Sequence, residues 1–265
     1  MDTGGKRLQN SRPRPDSDLA SGVTSLARTG SNRYVQDKAT LSTIEPFRGL
    51  PAADLEAVTR RCRWRRYDPG QQVVGRQEES RDVFFVVSGR VRVTLFSVSG
   101  KEVTFRDLDA GEMFGELAAI DGQPRSANVI ALAESLIASI SGEAFWQVLR
   151  EQPEVAAVTL KRLTANVRDL SERIFEFSTL TVNNRIQAEL LRLALAHLQD
   201  DEAPAVIAPA PTHAEIASRV STHREAVTRE LSRLAQAGVI ERHSGKLVVL
   251  DLPRLRRMVE NVLEA

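Results

Sequence analysis

Residues 111–127 read GEMFGELAAIDGQPRSA, a glycine-flanked turn that leads into a short helix and then into a proline and an arginine. Such a turn exposes backbone N–H groups that can surround an anion. Arg125, nine residues after Glu116, can neutralise the same anion through paired hydrogen bonds. The carboxylate of Glu116 is a natural acceptor for sugar hydroxyl groups. The stretch therefore predicts an anion site beside sugar hydroxyls; the alternative is that Glu116 and Arg125 only form an ion pair in a surface loop.

The sequence around this stretch has the pattern of an all-β domain. Short apolar runs alternate with turn residues at intervals of about 8–12 residues, which is typical of a barrel or sandwich. A short amphipathic helix is predicted first, over residues 52–61. The predicted strands are 83–87, 91–95, 103–105, 129–132 and 136–140.

From about residue 154 the apolar residues change to a helical period. They follow each other at alternating steps of three and four residues, at Leu160, Leu163, Val167, Leu170, Ile174, Phe177 and Thr181. This heptad seam favours pairing with another helix, and the simplest partner is the same helix of a second subunit. The alternative is a single amphipathic helix that packs on its own domain. We therefore predict a homodimer.

The C-terminal part is predicted to be helical with one hairpin. After a helix over 185–198 and a loop over 199–211, residues 212–265 read as helix, turn, helix, hairpin and helix. Two capping boxes, Thr212 with Glu215 and Thr222 with Glu225, predict the starts of the first two helices. Ser244-Gly245 is the predicted turn of the hairpin.

The second of these helices has a basic exposed face. Arg224 and Arg229 can reach guanine O6 and N7, and Glu225 can accept from cytosine N4 or only complete its capping box. Residues 219–246 hold six basic and three acidic side chains, although the whole chain has a net charge of only +1. This segment is therefore predicted to bind DNA.

The stretch 111–127 resembles the phosphate-binding cassette of cyclic-nucleotide-binding domains, in the form Phe-Gly-Glu-Leu-Ala followed by Pro-Arg-x-Ala. The resemblance implies that Glu116 binds the ribose 2′-hydroxyl and Arg125 the cyclic phosphate. It also implies that the Ser126 hydroxyl bonds the phosphate, and that the backbone of Gly115 and Leu117 lies against the ligand.

The identity of the nucleotide depends on the long helix. Family members that bind cyclic AMP place hydroxyl residues of this helix against the adenine, and the matching positions are Leu170 and Ser171. Only Ser171 carries a hydroxyl. The resemblance implies cyclic AMP as the allosteric ligand, with cyclic GMP as the alternative.

Residues 41–252 are similar, in domain order, to the cyclic AMP receptor protein/FNR family of bacterial transcription regulators. The Arg-Glu-x-x-x-Arg spacing that begins at Arg224 matches the receptor-protein branch. The resemblance implies a double-stranded palindrome with TGTGA-like half-sites and RNA polymerase as a partner. The residues expected to contact DNA are Thr212, Ser221, Thr222, His223, Arg224, Glu225, Thr228, Arg229 and Lys246.

Composition narrows the class of protein. The 265 residues are 42% hydrophobic and include no apolar run of membrane-spanning length, which favours a soluble, cytoplasmic protein. The single cysteine, Cys62, cannot form an intrachain disulfide or hold a cluster alone, and four scattered histidines predict no metal site. A cyclic-nucleotide module that controls an attached enzyme would need a catalytic domain, and no segment is large enough. A regulator of the same fold that uses another signal, or none, stays open.

The predicted architecture is α+β. It has a flexible tail (1–38), a jelly-roll-like β-barrel domain that binds the cyclic nucleotide (39–153), a dimerisation helix (154–183) and a winged helix-turn-helix domain (184–265).

Overall fold

The structure, a computed structural model, describes Met1 and residues 40–98, 100–198 and 204–263. The predicted tail lies outside the described residues, apart from Met1. After two short 3₁₀ turns, the helices are α1 (Ala52–Arg60), α2 (Glu116–Asp121), α3 (Gly142–Glu151), α4 (Pro153–Thr179), α5 (Val182–Ala196), α6 (His213–Arg219), α7 (Arg224–Gln236) and α8 (Leu252–Leu263). The strands are β1 (Arg63–Tyr67), β2 (Gln72–Val74), β3 (Val83–Ser88), β4 (Arg90–Phe96), β5 (Glu102–Asp109), β6 (Met113–Phe114), β7 (Asn128–Ala131), β8 (Ser135–Ile140), β9 (Ala205–Ile207), β10 (Ile240–His243) and β11 (Lys246–Val249).

The N-terminal domain is a roll of two four-stranded antiparallel sheets, ordered β1-β8-β3-β6 and β2-β7-β4-β5. Because side chains alternate along a strand, β3 serves two cores. Phe84 and Val86 pack between the sheets, whereas Val83 and Phe85 pack under α1, α3 and the first turn of α4. The predicted β-rich fold and its strands are thus confirmed.

Helix α4 leaves the roll and spans 27 residues, about 40 Å at 1.5 Å per residue. The predicted seam forms an apolar stripe along it, of which Leu160, Val167, Leu170, Ile174 and Phe177 are exposed in the single chain. The last predicted seam position is wrong. Thr181 follows the end of α4, and its hydroxyl caps α5 by accepting from the Asn184 N–H.

The C-terminal domain packs α5, α6, α7 and α8 around a single apolar core, against a small sheet ordered β10-β11-β9. The wing (β10, β11 and their turn) is confirmed, since Ser244 and Gly245 both have positive φ, as a tight hairpin turn requires. The predicted loop over 199–211 is wrong in part. Ala205–Ile207 forms β9 and pairs with β11, because Ala205 and Ile207 can be buried in this core.

The second predicted capping box is also wrong. Helix α7 begins at Arg224, so its N-cap is His223, which makes no side-chain cap hydrogen bond. Thr222 lies one residue too early and is almost buried. The first box is confirmed: Thr212 and Glu215 exchange both hydrogen bonds at the start of α6.

The two domains meet where α6 packs on the outer face of β4 and β5. We call the charged residues at this contact the interdomain ion cluster: Arg92, Asp107, Glu189, Glu215 and Arg219. Arg92 pairs with Asp107 across the strands at 2.8 Å and with Glu215 of α6 at 2.9 Å. Arg219 pairs with Asp107 at 2.6 Å and with Glu189 of α5 at 3.3 Å.

This contact buries polar side chains on the face of β4 that points away from the core between the sheets. Burial alone lowers the pKa of Arg92, but the hydrogen bonds and charges of Asp107 and Glu215 outweigh it and raise that pKa. Close by, the hydroxyls of Thr104 and Ser218 lie 2.9 Å apart. The N-terminal and C-terminal domains are therefore joined at this contact through polar side chains.

Candidate functional site

A cavity of about 990 Å³ lies between the roll and helix α4. It is large enough for a nucleotide, since small-molecule sites commonly measure about 300–1,000 Å³. Six of the seven residues predicted for nucleotide binding line it: Gly115, Glu116, Leu117, Arg125, Ser126 and Leu170. The structure thus brings the cassette and the long helix together around one space.

Gly115 is required by the backbone at the start of this cassette. Its φ of +84° lies in the left-handed region, where residues with a side chain are disfavoured. A Cβ atom there would also lie 2.7 Å from a guanidinium nitrogen of Arg125 and 2.9 Å from the Asp82 carbonyl oxygen. Only glycine allows the chain to turn so tightly into α2 and still leave room for Arg125.

Arg125 is buried and held by neutral acceptors. Its Nε and one Nη donate to the Ser80 hydroxyl at 3.1 and 2.9 Å, and further bonds reach the carbonyls of Gly115 and Asp82 at 2.9 and 2.7 Å. The guanidinium also lies over the Phe84 ring. These hydrogen bonds fix the position of the side chain, and none of them neutralises its positive charge.

The electrostatics of Arg125 indicate a need for an anion. Burial lowers its pKa, and the carboxylates of Asp82, Glu78 and Glu116 only partly oppose this. Glu116 is itself only 4% exposed, yet among the described residues these two form no ion pair. The pairing of Glu116 with Arg125 in a surface loop is therefore not what the structure contains.

The long helix contributes more to the cavity than the sequence indicated. Ser171 is not among the lining residues, because it is exposed and its hydroxyl donates to the Val167 carbonyl at 2.9 Å. Asn166 and Arg173, which were not predicted, do line the cavity with Leu170. Their spacing of four and three residues from Leu170 places all three on one helical face, and that spacing could have identified them.

Arg106 is a further unpredicted residue in this wall. It donates to the Asn166 side chain and so connects β5 with α4. Burial lowers its pKa, and the charge of Arg162 lowers it further. No motif in the sequence distinguishes Arg106 from the other arginines of the chain.

The second candidate surface is the exposed side of α7. The turn before it depends on Ser221, whose φ is +54°, a conformation that any residue other than glycine adopts rarely. The predicted DNA-contact residues His223, Arg224, Glu225, Thr228 and Arg229 are exposed along this side, as are Thr212 at the start of α6 and Lys246 in the wing. Thr222 is the exception, since it is almost buried.

Within residues 40–98, 100–198 and 204–263, no group of three or more His, Cys, Asp or Glu side chains is arranged to hold a metal ion. Over the same ranges, none of the helices combines the length and the apolar character needed to cross a membrane.

A β-roll with a nucleotide-sized cavity, joined by a long helix to a winged helix-turn-helix, defines a class of ligand-controlled DNA-binding regulators. The comparisons with known proteins agree with this class. The family model of the cyclic nucleotide-binding domain matches residues 64–152, and that of the Crp-like helix-turn-helix domain matches residues 184–258.

Two similar proteins are named as cAMP-activated transcriptional regulators. The CRP-like cAMP-activated global transcriptional regulator of Mycobacterium tuberculosis is 24% identical over 80% of this chain and 94% of its own. The cAMP-activated global transcriptional regulator CRP of Salmonella typhimurium is 29% identical over 76% of this chain and 97% of its own. A solved structure of a CooA mutant from Carboxydothermus hydrogenoformans has the same fold, with a TM-score of 0.68 and 23% identity. The match covers 77% of this chain and 90% of the CooA chain.

The chain belongs to the cyclic AMP receptor protein/FNR family of transcription regulators. Its two matched domains and its named relatives are those of DNA-binding regulators, not of enzymes.

Proposed function

We propose that this protein is a homodimeric transcription regulator that binds cyclic AMP in the 990 Å³ cavity and then binds a palindrome with TGTGA-like half-sites. The observation that carries the proposal is the buried Arg125, which is held in place by neutral acceptors and lacks an ion-pair partner among the described residues. A cyclic phosphate supplies the single negative charge that this arrangement requires.

A cyclic nucleotide is favoured over other anions by the position of Glu116. In a cyclic nucleotide whose phosphate meets Arg125, the ribose 2′-hydroxyl reaches this second buried group. Relatives named as cAMP-activated support the same ligand. Cyclic GMP is the alternative, because Leu170 offers no hydrogen bond to the base and Ser171 already bonds its own helix.

The assembly we propose is a dimer through α4. The exposed apolar stripe of α4 includes Leu160, Val167 and Ile174, each more than half exposed in the single chain. A contiguous apolar stripe at heptad spacing is buried most simply against a copy of itself. Leu170 belongs both to this stripe and to the cavity wall. Ligand binding would therefore act on the dimer contact and on the domains beyond it.

DNA is read, in this proposal, by α7 in the major groove. Arg224 and Arg229 contact guanine edges and Glu225 accepts from cytosine, which its release from a capping role permits. Ser221, Thr212 at the start of α6 and Lys246 in the wing contact phosphate. RNA polymerase is the proposed partner of the bound dimer. The proposed domain limits remain 39–153, 154–183 and 184–265.

The test is fluorescence anisotropy of a labelled duplex that carries TGTGA and its inverted repeat. Protein alone, protein with cyclic AMP and protein with cyclic GMP are compared at one salt concentration, because affinity depends steeply on salt. We expect cyclic AMP to tighten binding. Arg125→Ala should lose at least about tenfold in cyclic AMP affinity by calorimetry, since hydrogen bonds to a charged group contribute about 1.5–3 kcal/mol.

Arg150→Ala is the matched control, because Arg150 is exposed and lies over Trp146 away from the cavity. Circular dichroism establishes that both variants are folded. A normal nucleotide response in Arg125→Ala would disprove the assigned site. Equal DNA binding in all three nucleotide conditions would leave a DNA-binding regulator that does not respond to cyclic nucleotides.

A further inference from the structure

A second cavity, of about 420 Å³, lies at the end of the DNA-facing surface, where α6, α7 and the wing meet. Three basic side chains line it: His213 from α6, Arg224 from α7 and Arg242 from β10. Both arginines are exposed, and neither has a carboxylate within ion-pair distance among the residues that the structure describes. The cavity is therefore positively charged and open to an anion.

The hydrogen bonds of His213 determine which of its nitrogens can take up a proton. Its Nδ1 lies 2.7 Å from the Thr228 hydroxyl, and that hydroxyl donates its only hydrogen to the Arg224 carbonyl at 3.0 Å. With the hydroxyl hydrogen engaged there, Nδ1 acts as the donor to Thr228. The neutral ring then carries its hydrogen on Nδ1, and Nε2 is the nitrogen left to accept a proton.

The surroundings of His213 disfavour its protonated form. Burial lowers the pKa of His213, and the positive charges of Arg242 and Arg224 lower it further. The nearest acid on its own helix, Glu215, is bonded to Thr212 and Arg92. A phosphate in the cavity reverses this balance, because a nearby negative charge favours the charged form of histidine.

We propose that His213 and Arg242, beside Arg224, form a clamp for a DNA backbone phosphate, and that His213 takes up a proton at Nε2 when the phosphate enters. DNA affinity would then increase as pH falls. The inference rests on the proposed DNA-binding function and adds to it a proton-linked contact at the edge of the recognition surface.

The experiment measures the Kd of the TGTGA duplex, with saturating cyclic AMP, from about pH 8 to about pH 5, the range in which histidine titrates. Four proteins are compared: wild type, His213→Gln, His213→Arg and His197→Gln. The glutamine at 213 keeps a donor for Thr228 but cannot be charged, and the arginine is charged throughout. His197 is the matched control, because its ring nitrogen pairs with the Leu193 carbonyl of its own helix and it does not line this cavity.

We expect wild type and His197→Gln to bind more tightly as pH falls. Each unit by which DNA raises the pKa of His213 corresponds to about tenfold in affinity per subunit, or about a hundredfold for a dimer. His213→Gln should lose this dependence and bind as wild type does at high pH. His213→Arg should bind tightly at every pH.

A second measurement follows the His213 ring by NMR, with its signal assigned from His213→Gln, in free protein, with duplex and with inorganic phosphate. A pKa that rises with duplex supports the clamp, and an equal rise with inorganic phosphate would mean that any phosphate fills it. If wild type binds the duplex with no more pH dependence than His213→Gln, the clamp is wrong and the proposed function stands. If no duplex binds at any pH, both are wrong.

Discussion

Replacing Asp107 by asparagine is expected to lower the free energy of unfolding by about 3 kcal/mol. Asp107 accepts two hydrogen bonds from Arg92, at 2.8 and 3.0 Å, and one from Arg219 at 2.6 Å. None of these side chains is more than 15% exposed. Removing one partner of a buried pair costs about 3–5 kcal/mol, because a charge is left uncompensated. The lower end applies here, since Arg92 keeps Glu215 and Arg219 keeps Glu189.

Asp109 offers a control with the same geometry and a different environment. It lies two residues further along β5 and accepts two hydrogen bonds from Arg90, at 2.7 and 2.9 Å. Its side chain is 59% exposed and that of Arg90 is 38% exposed. Exposed pairs contribute about 0–1 kcal/mol, so Asp109→Asn should lower the free energy of unfolding by less than about 1 kcal/mol.

The assay is urea unfolding of wild type and both variants at one ionic strength. Fluorescence reports on the N-terminal domain, because Trp64 lies in β1 and Trp146 in α3, whereas circular dichroism reports on the helices of both domains. In Asp107→Asn we also expect the two signals to separate, since the contact that joins the domains is weakened. Equal losses of stability in the two variants would refute the reasoning that burial decides the strength of these pairs.

Three further predictions concern single side chains. Ser80→Ala should weaken cyclic AMP binding by about tenfold in calorimetry, because two donors of Arg125 lose their acceptor; unchanged affinity would mean that Ser80 does not position it. Burial raises the pKa of Glu215, but the hydrogen bonds with Thr212 and Arg92 outweigh burial and lower that pKa. The ionised Glu215 therefore stabilises the fold at pH values above its unfolded-state pKa, and this stabilisation is lost as pH falls through its folded-state pKa. Glu215→Gln should therefore flatten the loss of stability in acid urea titrations, and an unchanged pH profile would contradict this. Ile174→Asp should shift the protein towards monomer in sedimentation, because it places a charge in the proposed dimer contact; an unchanged dimer would mean that α4 is not that contact.

The sequence predicted correctly those features that are formed by residues close together along the chain. The cassette 111–127 could be recognised because its glycines, Glu116 and Arg125 follow each other closely and act together. The heptad seam and the Thr212–Glu215 box are likewise short-range patterns. The structure has these features at the residues predicted for them, except that α4 ends before Thr181, the last predicted seam position.

The features that the sequence did not reveal depend on contacts between distant segments. Nothing in the sequence near Arg92 shows that its face of β4 is covered by α6, which lies more than a hundred residues later in the chain. Ser80, which fixes Arg125, lies 45 residues from it and belongs to no motif. The start of α7 was misplaced by the Thr222–Glu225 spacing, because a spacing alone does not show which residue has the N-cap conformation.

The two oxygens of Glu215 have separate partners. Oε2 accepts from the backbone and hydroxyl of Thr212, whereas Oε1 accepts from Arg92 of the other domain. If the domains swing apart, the bond to Arg92 breaks and the first turn of the helix stays intact. The cap that starts α6 therefore does not depend on the contact between the domains, and their separation would leave this end of the helix capped.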